Sequence, residues 1–338
     1  MRTIPILIEN RKTLTCKFVY WFCLVSSLLI GAVACGDTTR DSSSGKWHTE
    51  IAPSPLRIIT TIPMLEDWVN QVAGDSATVR SIIPRGVNPH SYQLGAKDVA
   101  GITESQLLFA VGLGYESTHL RKLLRNYPDI RVVELGEFVS PLEIDQNLKD
   151  DDHGHSILFD PHFWFDPMKV VIAAQVVAAE LSALDPEQAE TYTKRASAYS
   201  ATMEELDNYI KKHIEEIPAS NRVFMTSHES LGYLDARYDL DVVRAVMPAI
   251  TSEKDIGPEH LVDAVQLIVK HDVSVIFLED ETSDRLAQVV ARETDINAVQ
   301  GLRVETLKDK TETYVSFMKD NIELIAETLK GSSLDSEG

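Results

Sequence analysis

Residues 187–216 contain neither glycine nor proline, and this long charged segment constrains the fold more than any other feature of the chain. Asp185 and Pro186 stand directly before it as a helix start signal, so the segment predicts a single helix about 45 Å long. A helix of that length can run along two globular bodies and join them rigidly. If the chain forms two lobes, this helix is expected to be their stiff backbone.

Short β-branched runs alternate with amphipathic stretches on both sides of this helix. The predicted strands span residues 57–62, 78–83, 107–111, 131–135, 222–227, 240–246, 274–278 and 298–304, and the predicted helices span 66–72, 96–103, 259–271 and 284–293. Such alternation is typical of parallel sheets flanked by helices. We predict two α/β lobes with mostly parallel sheets, residues 55–185 and 218–330, joined by one rigid helix at 186–217 and followed by a tail at 331–338.

Residues 1–34 have the layout of a secretory signal peptide. Arg11, Lys12 and Lys17 precede an apolar run that ends at residue 34, which is the order of charge and hydrophobicity in such signals. The small residues before Cys35 resemble the lipobox of bacterial lipoproteins, which implies that Cys35 is lipidated and that residues 35–54 form a flexible tether. An uncleaved membrane anchor is the alternative, and either arrangement places the body outside the cytoplasm.

Charge and cysteine content exclude several classes of protein. A formal net charge of −20 without a dense Lys/Arg cluster argues against nucleic acid as a partner. Of the three cysteines, Cys16 and Cys23 lie in the signal peptide and Cys35 is the expected lipidation site. The mature chain then has no disulfide and no thiolate ligand, so a metal site has to use His, Asp or Glu.

Three histidines are expected at rigid positions near strand ends. His90 lies in a Pro/Gly-rich loop after strand 78–83, and His228 follows strand 222–227 and is expected to open a helix. His162 precedes Asp166-Pro167, which can cap and begin a helix. Ligands gather at the carboxyl ends of strands in open α/β sheets. Three imidazoles without cysteine suit zinc, and an oxygen ligand would complete a tetrahedron.

The motifs around these histidines resemble those of a known family. They are Pro89-His90-Ser91-Tyr92, Asp160-Pro161-His162-Phe163-Trp164, and Ser227-His228 followed by Gly232-Tyr233. They are similar to the motifs of substrate-binding lipoproteins of zinc and manganese ABC importers. The resemblance implies that His90, His162 and His228 are metal ligands. It also implies that Glu305, after the last strand, is the fourth ligand, although this family usually has Asp there.

Other carboxylates compete with Glu305 for the role of fourth ligand. Glu312 could instead favour the start of the closing helix, and Glu279 could accept a histidine N–H, while either could be merely solvated. Glu305 itself could be an exposed loop carboxylate. The acidic loop at 150–155, with His153 and His155, could hold metal weakly or be an ordinary solvated loop.

The resemblance implies extracytoplasmic capture of a divalent metal ion, zinc in the first place with manganese or iron as alternatives. It also implies delivery of the ion to an ABC permease with its ATPase, and we expect a monomer anchored to the membrane by its lipid. A secreted zinc hydrolase is the main alternative, but the sequence has no His-Glu-x-x-His pair. A surface adhesin or metallochaperone without a transporter is the third possibility.

Overall fold

The structure is a computed structural model, and it describes residues 55–144, 159–243, 258–280 and 285–331. The expectations for the signal peptide, for Cys35 and its tether, for the acidic loop at 150–155 and for the tail from 332 lie outside the described residues.

The first sheet contains four parallel strands in the order β2-β1-β3-β4. These strands are β1 (Leu56–Thr60), β2 (Ala77–Ser81), β3 (Leu107–Ala110) and β4 (Arg131–Glu134), and the helices between them are α1 (Pro63–Ala73), α2 (Ala96–Glu104) and α3 (Thr118–Arg125). All four residues of β3 are buried, as expected for a central parallel strand covered on both faces. The strands predicted before the long helix are thereby confirmed.

Two helices follow the first sheet, α4 (Pro167–Leu184) and α5 (Ala189–Glu215). The helix predicted at 187–216 is therefore confirmed, with a start at residue 189 because Pro186–Gln188 form a short 3-10 turn. Among the described residues, α4 is the one helix long and apolar enough to cross a membrane. It nevertheless packs against α1 and α5 with Val170, Ala173 and Val177 fully buried, as a core helix of a globular protein does.

The second sheet repeats the topology of the first, with the parallel order β6-β5-β7-β8. Its strands are β5 (Val223–Thr226), β6 (Asp241–Val243), β7 (Val275–Glu279) and β8 (Asn297–Leu302), and its helices are α6 (Gly232–Tyr238), α7 (Pro258–His271), α8 (Arg285–Thr294) and α9 (Tyr314–Gly331). Two α/β lobes with parallel sheets are thus present, as the alternating pattern predicts.

The two lobes share one hydrophobic core. Phe224 and Phe277 on one face of the second sheet belong to the same cluster as the first sheet, α4, α5 and α9. Met225, Ile276 and Leu278 on the opposite face form a smaller cluster with α7 and α8, as the two-residue period of a strand requires. Helix α5 contacts α1 of the first lobe and α9 of the second. It therefore joins the lobes through packed side chains.

Candidate metal centre

The four residues singled out in the sequence converge at the carboxyl ends of the two sheets. His90 follows β2, His228 follows β5 and Glu305 follows β8, while His162 lies between the first sheet and α4. In both sheets the strand order reverses beside the first strand, and ligands of open α/β sheets bind outside such a point. The equivalent ends of the two sheets thus form one site.

All three histidines point their Nε2 atoms at a single oxygen, Oε1 of Glu305. The distances to it are 3.1 Å from His90 and 3.2 Å from His162, and 3.4 Å from His228. His228 Nε2 is buried and makes no hydrogen bond to any described residue. The ligand atoms of His90, His228 and Glu305 all lie within 4.8 Å of one another. His162 Nε2 lies 3.2 Å from the same carboxylate oxygen but is not a member of that mutually close group. The three imidazoles therefore all face the Glu305 carboxylate.

These spacings fit a bound transition metal ion. Tetrahedral zinc with bonds of about 2.0 Å separates adjacent ligand atoms by about 3.3 Å, which matches the three distances from Nε2 to Oε1. An octahedral ion with slightly longer bonds separates adjacent ligand atoms by about 3.1 Å. The spacing of these atoms alone therefore fits both geometries.

Asp160 orients His162 from the side opposite the site. Its Oδ1 accepts the His162 Nδ1–H at 2.8 Å and the His162 backbone N–H at 2.9 Å. Farther along, the Asp166 side chain accepts the backbone N–H of Met168 at 2.8 Å, and Pro167 begins α4. The predicted helix start after His162 is confirmed. His162 is thereby fixed between a carboxylate and a capped helix, with its side chain fully buried.

The prediction that His228 opens a helix is wrong. Bends lie on either side of it, at Ser227 and Glu229, and α6 begins at Gly232. The Thr226 and Ser230 hydroxyls donate to the His228 carbonyl at 2.6 and 3.3 Å, which favours a local turn over a helical turn. His228 Nδ1 lies 3.0 Å from the Glu279 carboxylate. The predicted contact between Glu279 and a histidine N–H is thus present.

The loop that carries His90 is tied to the loop that carries Glu305. Gly86 has a φ of +73°, which favours glycine, and its N–H donates to the Leu307 carbonyl at 2.9 Å. The Asn88 side chain accepts the His90 backbone N–H at 2.8 Å, which closes a local turn. The His90 side chain is 20% exposed, whereas those of His162 and Glu305 are fully buried. The site therefore opens to solvent on the side of His90.

Glu305 is the one of the three competing carboxylates that reaches the histidine Nε2 atoms. Glu279 contacts the far side of His228, and Glu312 pairs with Arg303. All three carboxylates are nearly or fully buried, so the interpretations of Glu305 as an exposed group and of Glu279 and Glu312 as solvated groups are wrong. Glu305 Oε2 accepts the Tyr115 hydroxyl at 2.7 Å.

Sequence reasoning missed Tyr115. It follows β3, and the available signal was the same strand-end rule that selected the histidines.

Charged neighbours shift the pKa values of His162, His228 and Glu305. Burial lowers the pKa of His162, but Asp160 and Glu305 outweigh burial and raise this pKa to about 10. Burial likewise lowers the pKa of His228, and the Glu279 carboxylate more than compensates, so the pKa is raised. Burial raises the pKa of Glu305, but His90 and His162 hold it well below its usual range. The metal-free site therefore combines a carboxylate with protonated imidazole.

Aromatic side chains close the buried side of the site. The Trp164 ring lies edge-on to His162 with centroids 5.1 Å apart, and its Nε1–H donates to the Val304 carbonyl at 3.0 Å. Trp68, Phe163 and Trp164 are all fully buried, as predicted for core residues. Trp164 thus belongs to the core and also borders a ligand candidate, where it excludes water from one side of the site.

Known proteins similar to this chain share these features. The family described as zinc-uptake complex component A, periplasmic, matches residues 58–328. The metal ABC transporter substrate-binding lipoprotein ScbA of Streptococcus cristatus is 30% identical over 325 residues, which cover 93% of this chain and 98% of that protein. The manganese-binding lipoprotein MntA of Halalkalibacterium halodurans is 24% identical, covering 91% of this chain and 97% of its own.

A solved structure agrees with the observed fold. The periplasmic zinc binding protein TroA of Treponema pallidum superposes with a TM-score of 0.73 at 24% identity, over 81% of this chain and 99% of that one. The likeness extends through both α/β lobes, since it covers most of the described residues. The family match and the relative at 30% identity show that the chain belongs to the zinc-uptake component A family, a family of metal ABC transporter substrate-binding proteins and not of enzymes.

Proposed function

We propose that this protein captures Zn²⁺ outside the cytoplasmic membrane and delivers it to the permease of an ABC importer. In this proposal His90, His162, His228 and Glu305 bind the ion. The observation that carries it is the convergence of three Nε2 atoms on one carboxylate oxygen, at 3.1, 3.2 and 3.4 Å. A site formed by protein groups alone suits capture and release of an ion.

The donor set favours zinc over manganese or iron. Imidazole nitrogen is a borderline ligand that suits zinc, whereas manganese is usually bound by more oxygen atoms. Three imidazoles with one carboxylate oxygen give the nitrogen-rich, four-ligand set of many zinc sites. Manganese remains the second candidate because a relative, that of Halalkalibacterium halodurans, is named as a manganese-binding lipoprotein.

Capture of the ion is a replacement of protons by metal. His162 donates from Nδ1 to Asp160 and faces Glu305 with Nε2, so the metal-free ring carries two protons. The ion takes the place of the Nε2 proton, and Asp160 keeps the ring oriented through the Nδ1 proton. The same replacement applies to His228, with Glu279 in the role of Asp160. Release of the ion is then favoured when protons return to the site.

The anchor and the partner complete the proposal. Lipidated Cys35 would hold the protein at the membrane, and residues 36–54 would give the body reach toward the permease. The relative from Streptococcus cristatus is named as a lipoprotein of a metal ABC transporter, which supports both the anchor and a permease with its ATPase as partners. Mass spectrometry of the N-terminal peptide from membranes would show a diacylglyceryl group on Cys35, and an unmodified Cys35 would contradict the anchor.

Metal content and competitive affinity for Zn²⁺ and Mn²⁺ test the proposed ligands. The full chain, purified from membranes in detergent, is compared with His228→Ala and Glu305→Ala. Because outer-sphere partners of metal ligands are worth about 10- to 100-fold in affinity, loss of a ligand itself is expected to weaken zinc binding by at least about 100-fold. The exposed residues His119 and Glu327 supply matched controls as His119→Ala and Glu327→Ala, which should leave the affinity unchanged.

Two results would contradict the proposal. The first is a wild-type protein that holds no tightly bound ion. The second is an affinity that responds equally to the ligand variants and to the exposed controls. A genome without a neighbouring permease and ATPase would count against import and favour a metallochaperone or adhesin with the same metal site.

A further inference from the structure

The two oxygens of Glu305 have different partners. Oε1 faces the Nε2 atoms of the three histidines, at 3.1 to 3.4 Å. Oε2 accepts the hydroxyl of Tyr115 at 2.7 Å, a short bond between a phenol and a carboxylate. One oxygen thus faces the three imidazoles and the other is bonded to Tyr115.

Tyr115 is fixed in place by its own surroundings. It is 6% exposed, and its ring lies edge-on to Trp164 with centroids 5.6 Å apart. The next residue, Glu116, accepts the backbone N–H groups of Val111 and Gly112 at 2.7 and 3.0 Å. Glu116 also accepts the Thr61 hydroxyl at 2.9 Å. The loop after β3 is therefore pinned to β1, and the hydroxyl cannot swing away from Glu305 without breaking buried contacts.

The number of oxygens that Glu305 gives determines the coordination number. With Oε2 bonded to Tyr115, the protein supplies three nitrogens and one oxygen, which is the four-ligand set of zinc. With Oε2 free to rotate toward the ion, the carboxylate can bind through both oxygens and supply a fifth ligand. Manganese favours higher coordination numbers and more oxygen than zinc does. The Tyr115 hydroxyl therefore affects the relative affinity of the site for zinc and manganese.

We propose that Tyr115 is a specificity-determining positioning residue that holds Glu305 to a single metal-binding oxygen and so favours Zn²⁺ over Mn²⁺. This inference rests on the proposed function, because it requires Glu305 to be a ligand. Tyr115 itself does not touch the ion. It acts through the hydrogen bond to Oε2, and the substitution Tyr115→Phe removes that bond while it retains the ring that packs against Trp164.

The decisive experiment compares Zn²⁺ and Mn²⁺ affinities of the full chain with those of Tyr115→Phe. The ratio of the manganese to the zinc dissociation constant is expected to fall by about tenfold in Tyr115→Phe, the range for an outer-sphere partner of a ligand. Tyr192→Phe is a matched control, since it removes a tyrosine-to-carboxylate hydrogen bond of 3.0 Å, to Asp185, at the start of α5. The ratio of the manganese to the zinc dissociation constant in Tyr192→Phe should equal that of the wild type. Equal weakening of both metals in Tyr115→Phe would overturn the proposal.

A spectroscopic measurement keeps the proposal testable even if Tyr115→Phe does not fold. Co²⁺ bound to the wild-type protein should show the intense visible absorption of a four-coordinate ion, and Tyr115→Phe should show the weaker absorption of a higher coordination number. Weak absorption in the wild type would overturn the proposal. Absence of any tight metal binding in the wild type would instead contradict the proposed function itself, so the two failures are distinguishable.

Discussion

Arg85 donates a hydrogen bond of 2.9 Å to the main-chain carbonyl of Glu312, and this bond joins the loop that carries His90 to the loop that carries Glu305. The same guanidinium donates to the Asp309 carbonyl at 2.8 Å and pairs with Glu66 on α1. The Arg85 side chain, together with the Gly86 backbone, therefore positions two proposed ligands from different lobes relative to each other.

Substitution of Arg85 by methionine should loosen the site without removing a ligand. Loss of the two Arg85 hydrogen bonds, with the Gly86 bond to Leu307 left in place, is expected to weaken zinc binding by about tenfold, through faster dissociation, because outer-sphere positioning bonds are worth about that much. Stopped-flow release of zinc to a chelator measures the rate. Arg125→Met, which changes an exposed arginine of α3, serves as the control. Equal release rates in Arg85→Met and in the wild type would mean that the loops hold their places without this bond.

Metal affinity should rise with pH well beyond the range of an ordinary histidine. In the proposed site the metal displaces the Nε2 proton of His162, whose pKa is raised to about 10 by Asp160 and Glu305 against the effect of burial. Proton competition therefore continues up to about pH 10. Competitive zinc titrations from pH 6 to 10 check this, and Asp160→Asn should move the plateau to lower pH. An affinity that levels off above pH 7 in the wild type would show that His162 is already neutral there.

The metal-free protein should be most stable between about pH 4.5 and 6.5. The pKa of His162 rises from 6.5 to about 10 on folding, so its contribution to stability is complete below pH 6.5 and is lost as the pH rises toward 10. The pKa of Glu305 falls from 4.5, so its contribution is present above pH 4.5 and is lost as the pH falls below it. The midpoint of thermal unfolding of the metal-free chain should drop by more than about 5 °C from pH 6.5 to 10. In His162→Gln that drop should shrink, and an equal drop in both proteins would refute the assignment.

Gly232→Ala should disturb the site through Asp160. A Cβ at position 232 would lie 2.7 Å from Asp160 Oδ2, which is too close, so the carboxylate that orients His162 has to move. We expect zinc affinity to fall by about tenfold while the fold persists, because the obstructed atom ends a side chain. Gly331→Ala, where a new Cβ meets nothing within 4 Å, is the matched control. Unchanged affinity in Gly232→Ala would mean that Asp160 is not needed to orient His162.

Much of this fold follows from local patterns in the sequence. Strand and helix periods, together with the Asp166-Pro167 start signal, predicted most elements to within a few residues, because each depends on neighbouring side chains. The turn at His228 and the burial of Glu279 and Glu312 were not predicted. The turn at His228 rests on hydrogen bonds from the neighbouring Thr226 and Ser230 hydroxyls, which compete with the helical pattern. The burial of Glu279 and Glu312 depends on partners such as His228 and Arg303 that folding brings to them. Tyr115 was missed for the same reason, since its partner Glu305 lies 190 positions away in the chain.

The most direct test of the central claim is a crystal structure of the zinc-loaded protein, with anomalous diffraction measured at the zinc edge. We expect one anomalous peak within about 2.0 to 2.2 Å of the Nε2 atoms of His90, His162 and His228 and of Oε1 of Glu305. A peak bound by Glu279 or Glu312 in place of Glu305, or a peak away from the three imidazoles, would contradict it.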